Sequence, residues 1–416
     1  MDVVIVGGGV AGLEALLGLR ALAGDRVRLT LAAPDPDFTY RPLAVAEPFG
    51  LGHAYRVPLS QFTDDAGAQL LTDATVGVDD AAGVVRLRDG GERSYDAAIV
   101  APGARPVAGV KGAATWWPGG DPETYGGLLR DLDEGYAKRI VIAVPPGAVW
   151  PLPAYELALM TAGQADAMGH DDVTVTVVTP ERRALSLFGE EAGDAVADEL
   201  QKAGVELRTG VVASRDQDGV SLEPGSEHVD AQRVYAVPRL LGPALDGLPA
   251  DEEGFIVAGG DAKVEGCEST WAAGDGVVSP VKFGGLATHQ ARRAATAIAQ
   301  AAGADAADPG EPVIHGRLLV GNRTRRLDGR GDAEGAPLWW PQGKVAGEYL
   351  PKWLTEHGVA PPAAEEPRDE GITVHRPLSE LPAQEVEYLR GLAREFRSGD
   401  PAIAELGRRM READGR

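Results

Sequence analysis

Short apolar runs bounded by glycine or polar turns alternate along this chain with longer stretches in which apolar residues recur at helical spacing. The first run, Val3-Val4-Ile5-Val6, predicts a buried strand over residues 3–6. Leu13-Glu14-Ala15-Leu16-Leu17 then begins a helix reaching to about residue 22, and a second strand falls over 27–31. Between the first strand and the helix, Gly7-Gly8-Gly9-Val10-Ala11-Gly12 makes a G-x-G-x-x-G turn in the order a dinucleotide fold requires. Strands over 74–79 and 84–87 are joined by a polar turn. The buried strand over 95–100 ends in the small-residue turn Ala101-Pro102-Gly103.

A proline- and glycine-rich connector, Trp116-Trp117-Pro118-Gly119-Gly120-Asp121-Pro122, separates this unit from a second alternation. That unit has strands over 139–144, 173–178 and 205–208, with helices over 154–162 and 190–203. The pattern predicts an α/β chain with two Rossmann-like dinucleotide-binding domains. The first is discontinuous, over 1–112 and 246–330, because Thr270-Trp271-Ala272-Ala273-Gly274-Asp275 and the helix from Gly284 return to it. The second occupies 113–245, and 331–416 form a C-terminal capping or interface segment.

Composition narrows the partners. A net charge of −23 over 416 residues argues against nucleic acid and against broad attraction to anionic lipid. No apolar run approaches the ~18 residues of a membrane span. The chain enters its first strand without a basic leader, which sets the cytoplasm as the expected location. Cys267 is the single cysteine, so an intramolecular disulfide, a Cys-x-x-Cys pair and a thiolate-rich metal site are excluded. The seven histidines lack ligand spacing, and no metal is expected. Val386, Leu389, Ala393 and Phe396, then Ile403, Leu406 and Met410, form narrow helical stripes whose faces mix arginine with glutamate. Docking to the body or to a homodimer partner is expected ahead of peripheral membrane contact.

The glycines have separable duties. Gly7 permits the tight turn, Gly9 lets backbone approach a pyrophosphate, and Gly12 brings helix and strand together. Free N–H groups at the helix start, around Val10 and Ala11, would hold the phosphates. The acid usual about twenty residues on, at the ribose, is absent: Ala32 and Ala33 stand there, and Asp35 is the substitute.

These pieces, in this order, resemble the two-dinucleotide-domain flavoproteins related to pyridine nucleotide–disulfide reductases. The resemblance runs to about residue 299 and is strongest to the branch of sulfide:quinone oxidoreductases and type II NADH dehydrogenases. It implies non-covalent FAD. Gly7, Gly9, Val10, Ala11 and Gly12 would hold the pyrophosphate, with Ala33 and Asp35 at the ribose. Backbone at Val76 would meet the adenine, and Ala101-Pro102-Gly103 replaces the family's Ala-Thr-Gly turn. Asp275, with Gly274 beside it, would meet the ribityl or phosphate region. Phe38-Thr39-Tyr40-Arg41-Pro42 matches the loop crossing the isoalloxazine. Lys282-Phe283-Gly284 leads into a helix whose positive end, with the lysine, would favour the charge of reduced flavin.

The electron source is harder to place. The second unit's turn, Val144-Pro145-Pro146-Gly147-Ala148-Val149-Trp150-Pro151, replaces the glycine fingerprint. Proline removes N–H donors and tryptophan takes up space, which disfavours NAD(P)H in its usual mode. The branch's sulfide chemistry needs more than one cysteine, and Cys267 reads as a small core residue. Glu156 aligns with the glutamate of the family's Val-Glu-Leu-Ala pattern and has two readings: a proton relay to the flavin, or a dipole-stabilised glutamate at a helix start. His289 is a lesser relay candidate, set against a packed or surface histidine. Trp339-Trp340-Pro341 and Gly343-Lys344 resemble the segment that closes over the cofactor's second face, where relatives line an acceptor pocket. The expected function is an FAD-dependent oxidoreductase with a small-molecule donor, unidentified, and a quinone acceptor. Two alternatives stay open: a divergent type II NADH:quinone oxidoreductase, and a non-catalytic flavin-binding sensor or assembly protein.

Overall fold

Strand Asp2–Val6 lies at the centre of a five-stranded parallel sheet in the computed structural model, which describes residues 1–51, 54–314, 317–320, 323–326, 345, 347–359 and 376–396. Across the sheet the order is Thr270–Ala272, Ala97–Val100, Asp2–Val6, Arg28–Ala32 and Gln69–Leu71. Val3 and Ile5 point to a core shared with helices Val10–Ala23 and Gly284–Ala301, which pack side by side. Val4 and Val6 point the other way, to a core built with the meander Thr75–Asp79, Val84–Leu87 and Glu92–Ser94. Both faces of the strand are covered, which is why its sequence is continuously apolar rather than alternating.

The chain leaves this sheet after Ala97–Val100 and returns at Thr270–Ala272. The outgoing Arg105–Val107 and the returning Arg239–Leu241 pair antiparallel, so both crossings run through one ribbon. Between them a second all-parallel sheet has the order Ala114–Thr115, Arg233–Ala236, Arg139–Ala143, Thr174–Val178 and Glu206–Arg208. Helices Glu123–Asp133, Leu152–Ala167 and Glu190–Lys202 cover one face. An antiparallel meander, Val212–Arg215, Gly219–Glu223 and Glu227–Asp230, covers the other. The hydrophobic pattern gave no sign of this meander, because its strands are short and rich in charged residues. Both sheets are Rossmann-like, and the chain is mixed α/β as expected.

Two C-terminal helices dock on this body. Tyr349–Glu356 is capped from 334 residues away: the Glu14 carboxylate accepts the N–H groups of Glu348 at 2.7 Å and Leu350 at 2.7 Å, with Tyr349 at 3.2 Å. A helix start buried against protein needs such an acceptor for its unpaired donors. Burial pushes the Glu14 carboxyl up, and the three N–H groups work against that push. Trp353 seals the contact, its ring 3.9 Å from that of Phe62 and its Nε1 donating to Asp65 at 2.7 Å. Helix Ala383–Glu395 lies against the second unit, with Ala393 buried, Val386 packed against the body and Phe396 exposed. Ile403, Leu406 and Met410 lie outside the described residues. Among the described residues no helix is long and apolar enough to cross a membrane.

Candidate functional site

Three turns meet at the carboxyl ends of adjacent strands Asp2–Val6 and Ala97–Val100, where the strand order reverses. That reversal is where open α/β sheets bind ligands. Gly7 leaves its strand at φ +102°, and a Cβ there would sit 2.1 Å from the Ala101 carbonyl oxygen. A Cβ at Gly12 would lie 1.8 Å from the Gly7 oxygen. At Gly9 nothing lies within 4 Å. The outer glycines are thus demanded by the chain's own packing, whereas the middle one faces open space that a phosphate can enter. No side chain caps helix Val10–Ala23 at this end.

The downstream turn completes the wall. Gly274, at φ +83°, packs on Ala11 (3.1 Å from a would-be Cβ) and its N–H donates to Gln290 Oε1 at 2.9 Å. A Cβ at Gly276 would be 3.0 Å from the Gly103 oxygen and 3.5 Å from Pro102. The structure therefore brings residues 7–12, 101–103 and 274–276 together. Ala33 is buried beneath the loop, 3.2 Å from where a Gly8 Cβ would stand, so packing accounts for a small residue there. Asp35 is exposed just beyond. Val76 stands apart on the meander as the extra residue of a bulge between Thr75 and Gly77, its side chain exposed and its carbonyl accepting the Asp246 N–H at 3.2 Å.

Charge gathers on one side. Arg41 is exposed and opens the 3-10 segment Arg41–Phe49, with half-buried Pro42 setting its first turn. That segment spans the two units: Val45 and Ala46 enter the second core, and the Phe49 ring lies 5.7 Å from Tyr125. Asp275 is half-buried. Burial pushes its carboxyl up, while Lys282 and Arg41 pull it back. Lys282 is buried, its Nζ donating to the Val277 carbonyl and lying 3.9 Å from the centre of the Phe255 ring. Burial pushes this ammonium down to about 8, against the pull of Asp275, Asp251 and Glu253. It is not a solvated loop lysine. Phe283 precedes helix Gly284–Ala301, and Val345 covers that end, 2.7 Å from a would-be Gly284 Cβ. Trp339, Trp340, Pro341, Gly343 and Lys344 lie outside the described residues.

The turn of the second unit is differently built. Ala148 spends its N–H on the Pro145 carbonyl at 3.1 Å, and Pro145 and Pro146 have none to offer. Trp150 turns outward, stacking on Phe283 at 4.8 Å and 15° and meeting Phe188 at 5.5 Å. The Lys282 N–H donates to the Val149 carbonyl at 3.2 Å, so this turn is fastened to the lysine segment. Glu156 is buried on helix Leu152–Ala167, one turn past the helix start, where the dipole has largely faded.

Sequence reasoning missed Glu181. Its Oε2 accepts the Tyr155 hydroxyl at 2.5 Å and the Thr179 hydroxyl at 3.0 Å, while Oε1 has no hydrogen-bond partner among the described residues. Burial pushes this carboxyl to about 7. The one available signal was a glutamate in the Thr179-Pro180-Glu181 turn that follows an apolar strand. Cys267 is half-buried against the meander-side core, its thiol pushed up by burial and then by Asp80, the direction opposite to that of a reactive thiolate. His289 is held by the Gly310 carbonyl at 3.0 Å, and burial and Arg293 push it down. Among the described residues no group of three His, Cys, Asp or Glu could hold a metal.

Residues 1–301 match the pyridine nucleotide-disulphide oxidoreductase family. The chain belongs to that family. It is 28% identical to the sulfide-quinone reductase of Aquifex aeolicus over 275 residues, covering 60% of this chain and 61% of that relative's length. By structure it is similar to the sulfide:quinone oxidoreductase of the same bacterium, with a TM-score of 0.69 and 19% identity over 86% of this chain and 90% of the other. A NAD-dependent persulfide reductase from A. fulgidus gives a TM-score of 0.58 and 21% identity over 78% and 63%. The two structural likenesses show a shared fold. Members of the family are flavoproteins, which implies FAD. The open backbone at Gly9 fits that implication.

Proposed function

We propose that this chain is an FAD-dependent oxidoreductase that takes electrons from a small molecule other than a nicotinamide nucleotide and delivers them to a quinone. One contrast carries the reading: the first glycine turn leaves its backbone open, and the second has prolines without N–H groups and spends the Ala148 N–H on its own Pro145 carbonyl. Bound FAD would supply the two-electron chemistry. The N–H groups following Gly9 would bind its pyrophosphate, and Asp275 would orient its linker. Lys282 would hold a positive charge beside the start of helix Gly284–Ala301, favouring arrival of negative charge, and would lose that charge above about pH 8. Glu156 is the candidate proton carrier. Cys267 has no part in electron transfer. The quinone role is tested by photoreducing the purified protein without oxygen and mixing it with a short-chain quinone. Rapid return of the oxidised flavin spectrum is expected; reoxidation no faster than in buffer alone would remove the quinone from the reading.

A further inference from the structure

Helix Ala383–Glu395 rests on the part of the second unit where a ligand would be expected. The switch point of that sheet lies between Arg139–Ala143 and Arg233–Ala236; the loop leaving Arg139–Ala143 carries Gly147, and the loop leaving the next strand, Thr174–Val178, carries Arg182–Phe188. The helix touches both loops. Ala393 sits 3.1 Å from a would-be Cβ at Gly147. Leu381 and Val386 pack in one apolar cluster with Leu187, Phe283 and Trp150.

The other contact is chemically specific. The Glu385 carboxylate is buried, with Oε1 accepting the Arg182 backbone N–H at 3.3 Å and the Ser186 hydroxyl at 3.0 Å. Its Oε2 lies 3.9 Å from the Arg182 guanidinium, which in turn covers the Tyr388 ring at 4.1 Å. A backbone N–H, a hydroxyl and a guanidinium converging on two oxygens is the donor set that also recognises a phosphate. Its place matters too. An arginine after the second strand of such a sheet is where a nucleotide's 2′-phosphate is accommodated.

We propose that helix Ala383–Glu395 is an internal plug, shutting the second unit's cleft by placing the Glu385 carboxylate in a turn that would otherwise take the phosphomonoester of an adenine nucleotide. This rests on the reading that the full chain takes no nicotinamide nucleotide, and adds the element that keeps the cleft shut. The proline turn would still deny a pyrophosphate its donors, so the ligand uncovered is the adenosine phosphomonoester alone.

The test uses the full chain and needs no turnover. Ala393→Trp cannot fit against Gly147, and Glu385→Ala removes the carboxylate at the helix's other end. In each variant, backbone hydrogen exchange over residues 383–395 should quicken by about tenfold or more, with the melting of the body unchanged. Adenosine 2′,5′-bisphosphate, titrated by calorimetry, should bind each variant about tenfold more tightly than it binds the parent chain. Adding Arg182→Ala to either variant should abolish that binding, and adenosine itself should not bind. Inorganic phosphate binding weakly to the same variants would assign the recognition to the phosphate. Unchanged exchange in both variants, faster exchange without nucleotide binding, or binding that survives Arg182→Ala would each overturn the plug. None of these outcomes bears on whether the parent flavoprotein uses a quinone, so the two readings can fail separately.

Discussion

Gly12→Ala will fail to accumulate as folded protein, whereas Gly9→Val will fold normally and purify without flavin. The added Cβ at position 12 would lie 1.8 Å from the Gly7 carbonyl oxygen, and that oxygen belongs to backbone already held at φ +102° against Ala101. Neither side can rotate away. Ordinary overpacking of a core costs about 1–3 kcal/mol, and a Cβ driven into a fixed backbone carbonyl exceeds it, against a total stability of about 5–15 kcal/mol. Gly9 is the opposite case. Its φ of −88° and ψ of −170° are ordinary for any residue, and nothing lies within 4 Å. A valine there intrudes only on what binds. Soluble yield, thermal melting and visible flavin absorbance of the two variants check the pair. A Gly9→Val protein that keeps a full complement of flavin would mean that the pyrophosphate does not lie at this turn.

Lys282→Met will erase a pH-dependent share of stability amounting to about 3 kcal/mol between pH 7 and 10.5. The folded chain gives up the Lys282 proton at about 8, and the unfolded chain keeps it to about 10.5. Between those values the unfolded state binds more protons, so stability rises with pH. Below the folded value both states are protonated, and the cost of the buried ammonium is fully present. Methionine has similar length and no proton to lose. The difference between parent and variant unfolding energies, measured from pH 7 to 10.5, should therefore trace a single rising step, in which all other groups cancel. A flat difference would show Lys282 to be solvated. The same substitution should remove a step near pH 8 from the rate of flavin reduction, which a purely structural lysine would not do.

The strand, glycine turn and helix at the amino end were legible because every constraint is local: an apolar run, three spaced glycines and a helical repeat. The return at Gly274-Asp275 was legible through resemblance alone, since nothing in its own spacing announces that it packs on Ala11. Contacts made across long stretches of sequence were not legible. Glu14 reads as an ordinary helical glutamate until the start of helix Tyr349–Glu356 arrives on it. Asp80 looks like a turn residue, yet it accepts the N–H groups of Glu268 and Ser269 and the Thr270 hydroxyl, clamping the returning strand. Trp150 could be read as a bulky occupant of its own turn, and its stack on Phe283 joins the two units instead. Lys282 has no sequence mark distinguishing a buried lysine from a solvated one. Its neighbours Phe255 and Val277 are brought to it by irregular chain, whose path apolar periodicity does not describe.

The central claim is that the chain carries a flavin in its first sheet and has no usual nicotinamide site in its second. Purified protein carrying its flavin, mixed anaerobically with NADH and then NADPH and followed by its visible spectrum, tests this most directly, with dithionite as the check that the flavin can be reduced. The account predicts an unchanged oxidised spectrum with both nucleotides and full bleaching with dithionite. Rapid bleaching by either nucleotide would contradict it.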